Sequence, residues 1–268
     1  MRFRGSSIQI SGCRSWWRGA ASVVIALLVA TARARDAVPD RLSFLPEGAV
    51  RLHGHLGERI DASLAHGVMA QDVEAPIRPF RERRDVTEWR SEFWGKWITS
   101  AIDAYRWNPN PGLAAKIQGA VDGLLATQSA DGYIGAYAPE NHLQRWDVWG
   151  RKYTLLGLLA WNEVRGDERA LAGAIRLADH LLTEIGPGKP DPFRHDLWHG
   201  MATSSVLEPM VRLYRRTGDP RYLDFCTWLI GEWPTRKGPD LLNKAARHEN
   251  VYAMFPASAT YPEGEAPP

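Results

Sequence analysis

From Trp94 to Trp233 the sequence repeats one pattern six times, with apolar residues three and four apart, the spacing of a helix with one buried face. The first segment carries Trp97, Ile98, Ala101, Ile102 and Tyr105, and the second Leu113, Ile117, Ala120, Val121, Leu124 and Leu125. The third runs through Trp149, Tyr153, Leu156, Gly157, Ala160, Trp161 and Val164, and the fourth through Leu171, Ala174, Ile175, Ala178, Leu181, Leu182 and Ile185. Val206, Leu207, Met210, Val211 and Tyr214 mark the fifth; Tyr222, Leu223, Cys226, Leu229, Ile230 and Trp233 mark the sixth. No comparably clean alternating pattern interrupts them, so the expected fold class is all-α.

The connections alternate in length. WNPNPG, RGDERA and RTGDPR are short, and Gly166-Asp167 and Gly218-Asp219 each supply a helix stop followed by an N-cap. SADGYIGAYAPENHLQ and GPGKPDPFRHDLWHG, before the third and fifth helices, are long. Aligning Leu113, Leu171 and Leu223 gives repeats of 58 and 52 residues, too long and uneven for a 34-residue array. A helical-hairpin toroid is expected, an incomplete (α/α)6 barrel over residues 35–254, with short turns at one end and long loops at the other.

The long-loop end concentrates Tyr133, Tyr137, His142, Trp146, Phe193, His195, Trp198 and His199, joined by Trp89, Glu92, Phe93 and Trp94 from the lead-in to the first helix. Long loops in a compact domain are usually functional. Sugar rings offer an apolar face and a hydroxyl rim, which tryptophan or tyrosine with Asp, Glu or His can meet together. The residues expected to bind substrate are Trp94, Asp131, Tyr133, Trp149 and His199. Any single aromatic among them could equally be core, and Asp131, before Gly132, could equally serve the turn. Glycoside hydrolysis usually needs two facing carboxyl groups. Glu92, Asp131, Glu140, Asp147, Asp196 and Glu208 are available, and spacing selects no pair. Phosphate-cradling loops, a nucleophile elbow and a His-Glu-x-x-His helix are absent from the sequence.

The flanks read differently. Arg2, Arg4, Arg14 and Arg18 precede an apolar run from Ala20 to Ala30 and the small-residue site Ala32-Arg33-Ala34, the build of a secretory signal over residues 1–34. A secreted or periplasmic protein without a stable membrane span is expected. Residues 1–34 hold five arginines and no acid, so without them 28 basic residues face 31 acidic ones, and the charge moves from +2 to −3. Nucleic acid is not an expected partner. Residues 50–60 alternate weakly, as a short strand or turn carrying His53 and His55, and 61–92, with Pro76 and Pro79, read as a loop-rich wrap. Cys226 sits at a helix-core spacing. Residues 255–268 read as a disordered or aberrant tail.

Four blocks resemble the N-terminal half of the catalytic domain of glycoside hydrolase family 127, the β-L-arabinofuranosidase-like proteins. They are FRERRDVTEWRSEFWGKWI, ATQSADGYIGAY, WDVWGRKYTLLGLL and HGMATSSVLEPMVRLYRRTGDPRYLDF. The resemblance implies an (α/α)6 barrel acting on arabinose-containing plant glycans, with a cysteine nucleophile in a zinc site made of further cysteines and a glutamate. Those residues have no counterpart here, and Gly150, Arg151 and Lys152 stand where the family carries a histidine. Zinc is therefore implied for full-length relatives, and no cofactor for this chain. The pattern fades after ENVYAMF, so we expect an interrupted reading frame, inactivity alone, and self-association through an exposed apolar face. The alternative is a non-catalytic helical-repeat module that binds carbohydrate or protein.

Overall fold

The structure, a computed structural model, describes residues 41–193, 200–235 and 238–249. The expected leader (1–34), the tail (255–268) and His199 lie outside the described residues. Among these, the chain is helical, and the sole strand-like feature is an isolated parallel bridge between Asp85 and Tyr137.

All six expected helices form: α3 (Glu92–Trp107), α4 (Pro111–Leu125), α5 (Asp147–Arg165), α6 (Glu168–Glu184), α8 (Leu207–Thr217) and α9 (Pro220–Glu232). Three earlier and later helices complete the described chain with a short one: α1 (Gly54–Ser63), α2 (Glu74–Glu82), α7 (Met201–Ser204) and α10 (Leu241–Ala246). Each hairpin turn is capped by its own sequence. Asn110 Oδ1 accepts from the Gly112 and Leu113 amides ahead of Pro111, and Asp167 accepts from the Arg169 and Ala170 amides. Gly166 (φ 66°) and Gly218 (φ 73°) end α5 and α8 in the left-handed conformation that glycine adopts without steric cost. Connections this short force antiparallel pairs.

Two expectations need correcting. Residues 50–60 are not a strand: Ile60, Leu64 and Val68, four apart, form a half-buried stripe along α1 and the π-helical turn Leu64–Val68. His53 occupies the N-cap position of this helix without a side-chain cap bond and His55 lies inside it, and among the described residues the group spaced for a metal includes neither. The wrap at 61–92 contains α2, which buries Ile77 and Phe80, three apart, against the body. Pro76 falls in its first turn, where a missing N–H costs little.

Helices α3, α5 and α8 pack side by side as one layer, with α4, α6 and α9 behind them. The closest approach joins α3 and α5. A Cβ on Gly95 would stand 2.5 Å from the Tyr153 carbonyl oxygen, and one on Gly157 would stand 2.7 Å from the Trp94 ring. Because Gly95 faces backbone, Gly95→Ala must push the helices apart; we expect a loss of about 1–3 kcal/mol in urea unfolding. Gly119→Ala, on α4 with open space around it, should instead gain up to about 1 kcal/mol from helix propensity.

Candidate functional site

At the short-turn end the layers are tied by ordinary structural bonds. Gln118 Nε2 donates to Asp167 Oδ2 at 2.8 Å, and Arg216 Nε donates to Asn162 Oδ1 at 2.7 Å. The long-loop end is different. Residues 126–146 leave α4, fold back over α6 and enter α5. They begin with a tight turn in which Asp131 Oδ1 accepts from Ser129 Oγ and, at 3.2 Å, from the Tyr133 amide. Gly132 (φ 102°) lies so close to the Arg176 carbonyl oxygen, 2.4 Å from a would-be Cβ, that no side chain fits. The Ser129 hydrogen bond chiefly holds the Asp131 carboxyl below its usual range. Asp131 thus makes the turn, the role that competed with sugar binding in the sequence.

Tyr133 is buried. Its hydroxyl donates to Asp147 Oδ1 at 2.8 Å and accepts from the Tyr137 amide at 3.1 Å, while its ring stacks on His142 with centroids 4.0 Å apart. Burial, with Asp147 next, raises its phenol well above the ordinary value. Arg151 lies over the same ring, fully buried, and its guanidinium bridges Asp147 (2.5 Å) and Glu184. Asp147 Oδ2 also accepts from the Leu143 amide at 2.9 Å, so one carboxylate pins both ends of the loop. Burial pushes Glu184 up, but the hydrogen bond from His142 and the charge of Arg151 outweigh it and leave Glu184 at about 2. A loop with two glycines, anchored by the buried Ile134, Ala136 and Tyr137, is tied down further by this polar knot.

Trp94 needs a correction. Its ring is 0% exposed between α3, α4 and α5, and Nε1 donates to the Ala120 carbonyl at 3.2 Å. A side chain sealed on all sides offers no face to a sugar. Tyr133, 1% exposed, is likewise a wall of the loop rather than a platform.

Trp149 differs from both. It is half-buried at the start of α5, its Nε1 donates to Glu92 on α3, and Glu92 also takes Lys96 Nζ at 2.7 Å. Trp149 meets Trp146 edge-on at 5.8 Å and Tyr153 at 5.3 Å, and Trp146 meets Trp89 at 6.1 Å. The result is a row of four rings with a carboxylate and two ammonium groups along it. Lys152 Nζ caps the Trp149 ring at 4.3 Å and the Tyr153 ring at 3.9 Å, and its burial lowers its pKa. Sequence reasoning had missed Tyr153 and Lys152, although both sit at helical spacing from Trp149.

The cysteine chemistry does not fit the described residues. Cys226 is buried in α9 with its sulfur 3.8 Å from the Leu207 carbonyl, and burial pushes its thiol up to about 12. A thiol held protonated is a poor nucleophile. Among the described residues, the group spaced to hold a metal is His142, His180 and Glu184.

Antiparallel helical hairpins in two layers, with an aromatic row and carboxylates at the long-loop end, define an all-α hairpin-repeat domain. The chain belongs to glycoside hydrolase family 127: residues 57–250 match the family described as β-L-arabinofuranosidase, GH127 catalytic domain. It is 27% identical over 173 residues to a non-reducing end β-L-arabinofuranosidase of Bifidobacterium longum, an overlap of 59% of this chain and 25% of that protein. A GH127 β-L-arabinofuranosidase from Geobacillus stearothermophilus T6 shares the fold, with a TM-score of 0.54 at 18% identity over 75% of this chain and 35% of that one. The chain thus spans a quarter to a third of the relatives it matches.

Proposed function

We propose that this glycoside hydrolase domain recognises arabinofuranose-containing glycans, with the row Trp89, Trp146, Trp149 and Tyr153 as the sugar platform. The observation that carries the reading is Trp149, a half-exposed ring fixed in orientation by its bond to the buried Glu92. Rings held before the ligand arrives lose little entropy on binding. Support for the substrate class comes from the family and from the Bifidobacterium relative's description. The leader-like residues 1–34 support export to where such glycans are met.

Trp149→Ala should weaken binding of a β-L-arabinofuranosyl oligosaccharide at least tenfold, roughly 1.4 kcal/mol, as read by calorimetric titration. Its melting temperature should change little. Unchanged affinity would remove Trp149 from the site.

A second reading is a binding module without turnover, supported by the burial of Cys226 inside α9, where its sulfur lies 3.8 Å from the Leu207 carbonyl rather than at the long-loop end. Release of arabinose from an aryl β-L-arabinofuranoside by the purified chain separates the two. Turnover surviving in Cys226→Ala would assign catalysis to other groups, and saturable binding with no turnover would favour the module.

A further inference from the structure

We infer that His142, His180 and Glu184 form a binding site for one borderline divalent cation such as zinc, which clasps the 126–146 loop to the end of α6. His180 and Glu184 are four residues apart on one face of α6, and His142 comes down from the loop, so the three ligands join two segments. One ligand atom from each lies within 4.8 Å of the others. Two imidazoles and a carboxylate suit zinc, cobalt or nickel better than calcium or magnesium.

The proton inventory points to a cation. His180 Nε2 lies 3.3 Å from Asp131 Oδ2, while His180 Nδ1 lies 3.4 Å from Glu184 Oε2. A neutral imidazole has a single N–H and cannot serve both carboxylates. When Nε2 serves Asp131, Nδ1 turns its lone pair toward the lone pairs of Glu184. In agreement, His180 Nδ1 is buried without a hydrogen-bond partner. A cation between Nδ1 and the carboxylate turns this repulsion into ligation, and Asp131 becomes the carboxylate that orients the metal-bearing histidine.

Distances fit as well. Zinc–ligand bonds of about 2.0–2.1 Å in a tetrahedron put neighbouring ligand atoms about 3.3 Å apart, close to the 3.4 Å between His180 and Glu184. His142 Nδ1, hydrogen-bonded to Glu184 Oε1 at 2.7 Å, needs to retreat by about half an ångström as the metal replaces its proton. Arg151, which bonds both Asp147 and Glu184 Oε2, opposes a second cation nearby and would share Glu184 with it, but Asp131, Asp147 and Glu184 together outnumber it. No residue of the site belongs to the aromatic row.

The test is zinc uptake by the untagged full chain after chelator treatment, followed by equilibrium dialysis with elemental analysis and by cobalt absorption spectra. One zinc per chain is expected, with cobalt bands of a nitrogen–oxygen site. His180→Ala and His142→Gln should each lower affinity at least tenfold, and Asp131→Asn, acting through His180, about tenfold. Cys226→Ala should change neither uptake nor spectrum. Absence of stoichiometric uptake, uptake that survives His142→Gln, or loss of uptake in Cys226→Ala would each overturn the assignment. Should His180→Ala fail to fold, His142→Gln, on the loop, still decides.

Discussion

Arg151→Met is expected to cost about 3–5 kcal/mol of folding stability, because the variant leaves two inward-facing carboxylates without their counter-ion. Arg151 is 0% exposed and bonds Asp147 and Glu184 through separate nitrogens. Asp147 in turn holds the Tyr133 hydroxyl and the Leu143 amide, so the loss should propagate through residues 126–146. Guanidinium unfolding measures the cost, and hydrogen exchange should show the loop opening while α8 and α9 keep their protection. In Arg151→Met, adding Asp147→Asn should cost less than it does alone, since the two residues act as one unit. The pH dependence has a definite sign. Glu184 has a folded-state value of about 2, below its ordinary 4.5, so its contribution is present above about 4.5 and lost as pH falls toward 2. A loss below 1 kcal/mol would show that the knot is not what orders the loop.

Trp94→Ala should be comparably damaging, about 3–5 kcal/mol, through the cavity left between three helices. The ring fills the space opened by Gly157, and the two helices already touch at Gly95 and Tyr153, so the site has little freedom to collapse. The same variant should leave sugar affinity within a factor of two once the population of folded protein is accounted for. A large loss of affinity with little loss of stability would return Trp94 to the ligand surface. The contrast with Trp149→Ala makes a pair: one tryptophan whose removal unfolds, and one whose removal disarms.

These two residues show how far the sequence could reach. Trp94 and Trp149 are both tryptophans near the start of a helix at the long-loop end, and both read as platforms. Which one faces solvent depends on the rotation of its helix against its neighbours, and the close contacts that set that rotation are made with residues of other segments. His180 and Glu184 carried a usable signal, a histidine and a glutamate four apart at the end of an apolar face. Their partner His142 comes from the loop and Arg151 from another helix, so the cluster has no sequence motif. Residues 50–92 were misread because proline and charge are local cues for loops, whereas the Ile77 and Phe80 pair that makes α2 worthwhile is rewarded only by burial against the body.

What the sequence alone determined was the one-dimensional part. Six helices, their capped short turns, the end at which the long loops gather and the family itself all rest on spacing between near neighbours, and local hydrogen bonding and helical period enforce those wherever the chain goes. What only the tertiary structure decided was which polar and aromatic side chains meet. Helix rotation and close packing assign each ring to core or surface, and low-dielectric burial obliges Arg151, Asp147, Glu184, His142 and His180 to find partners that sequence distance conceals.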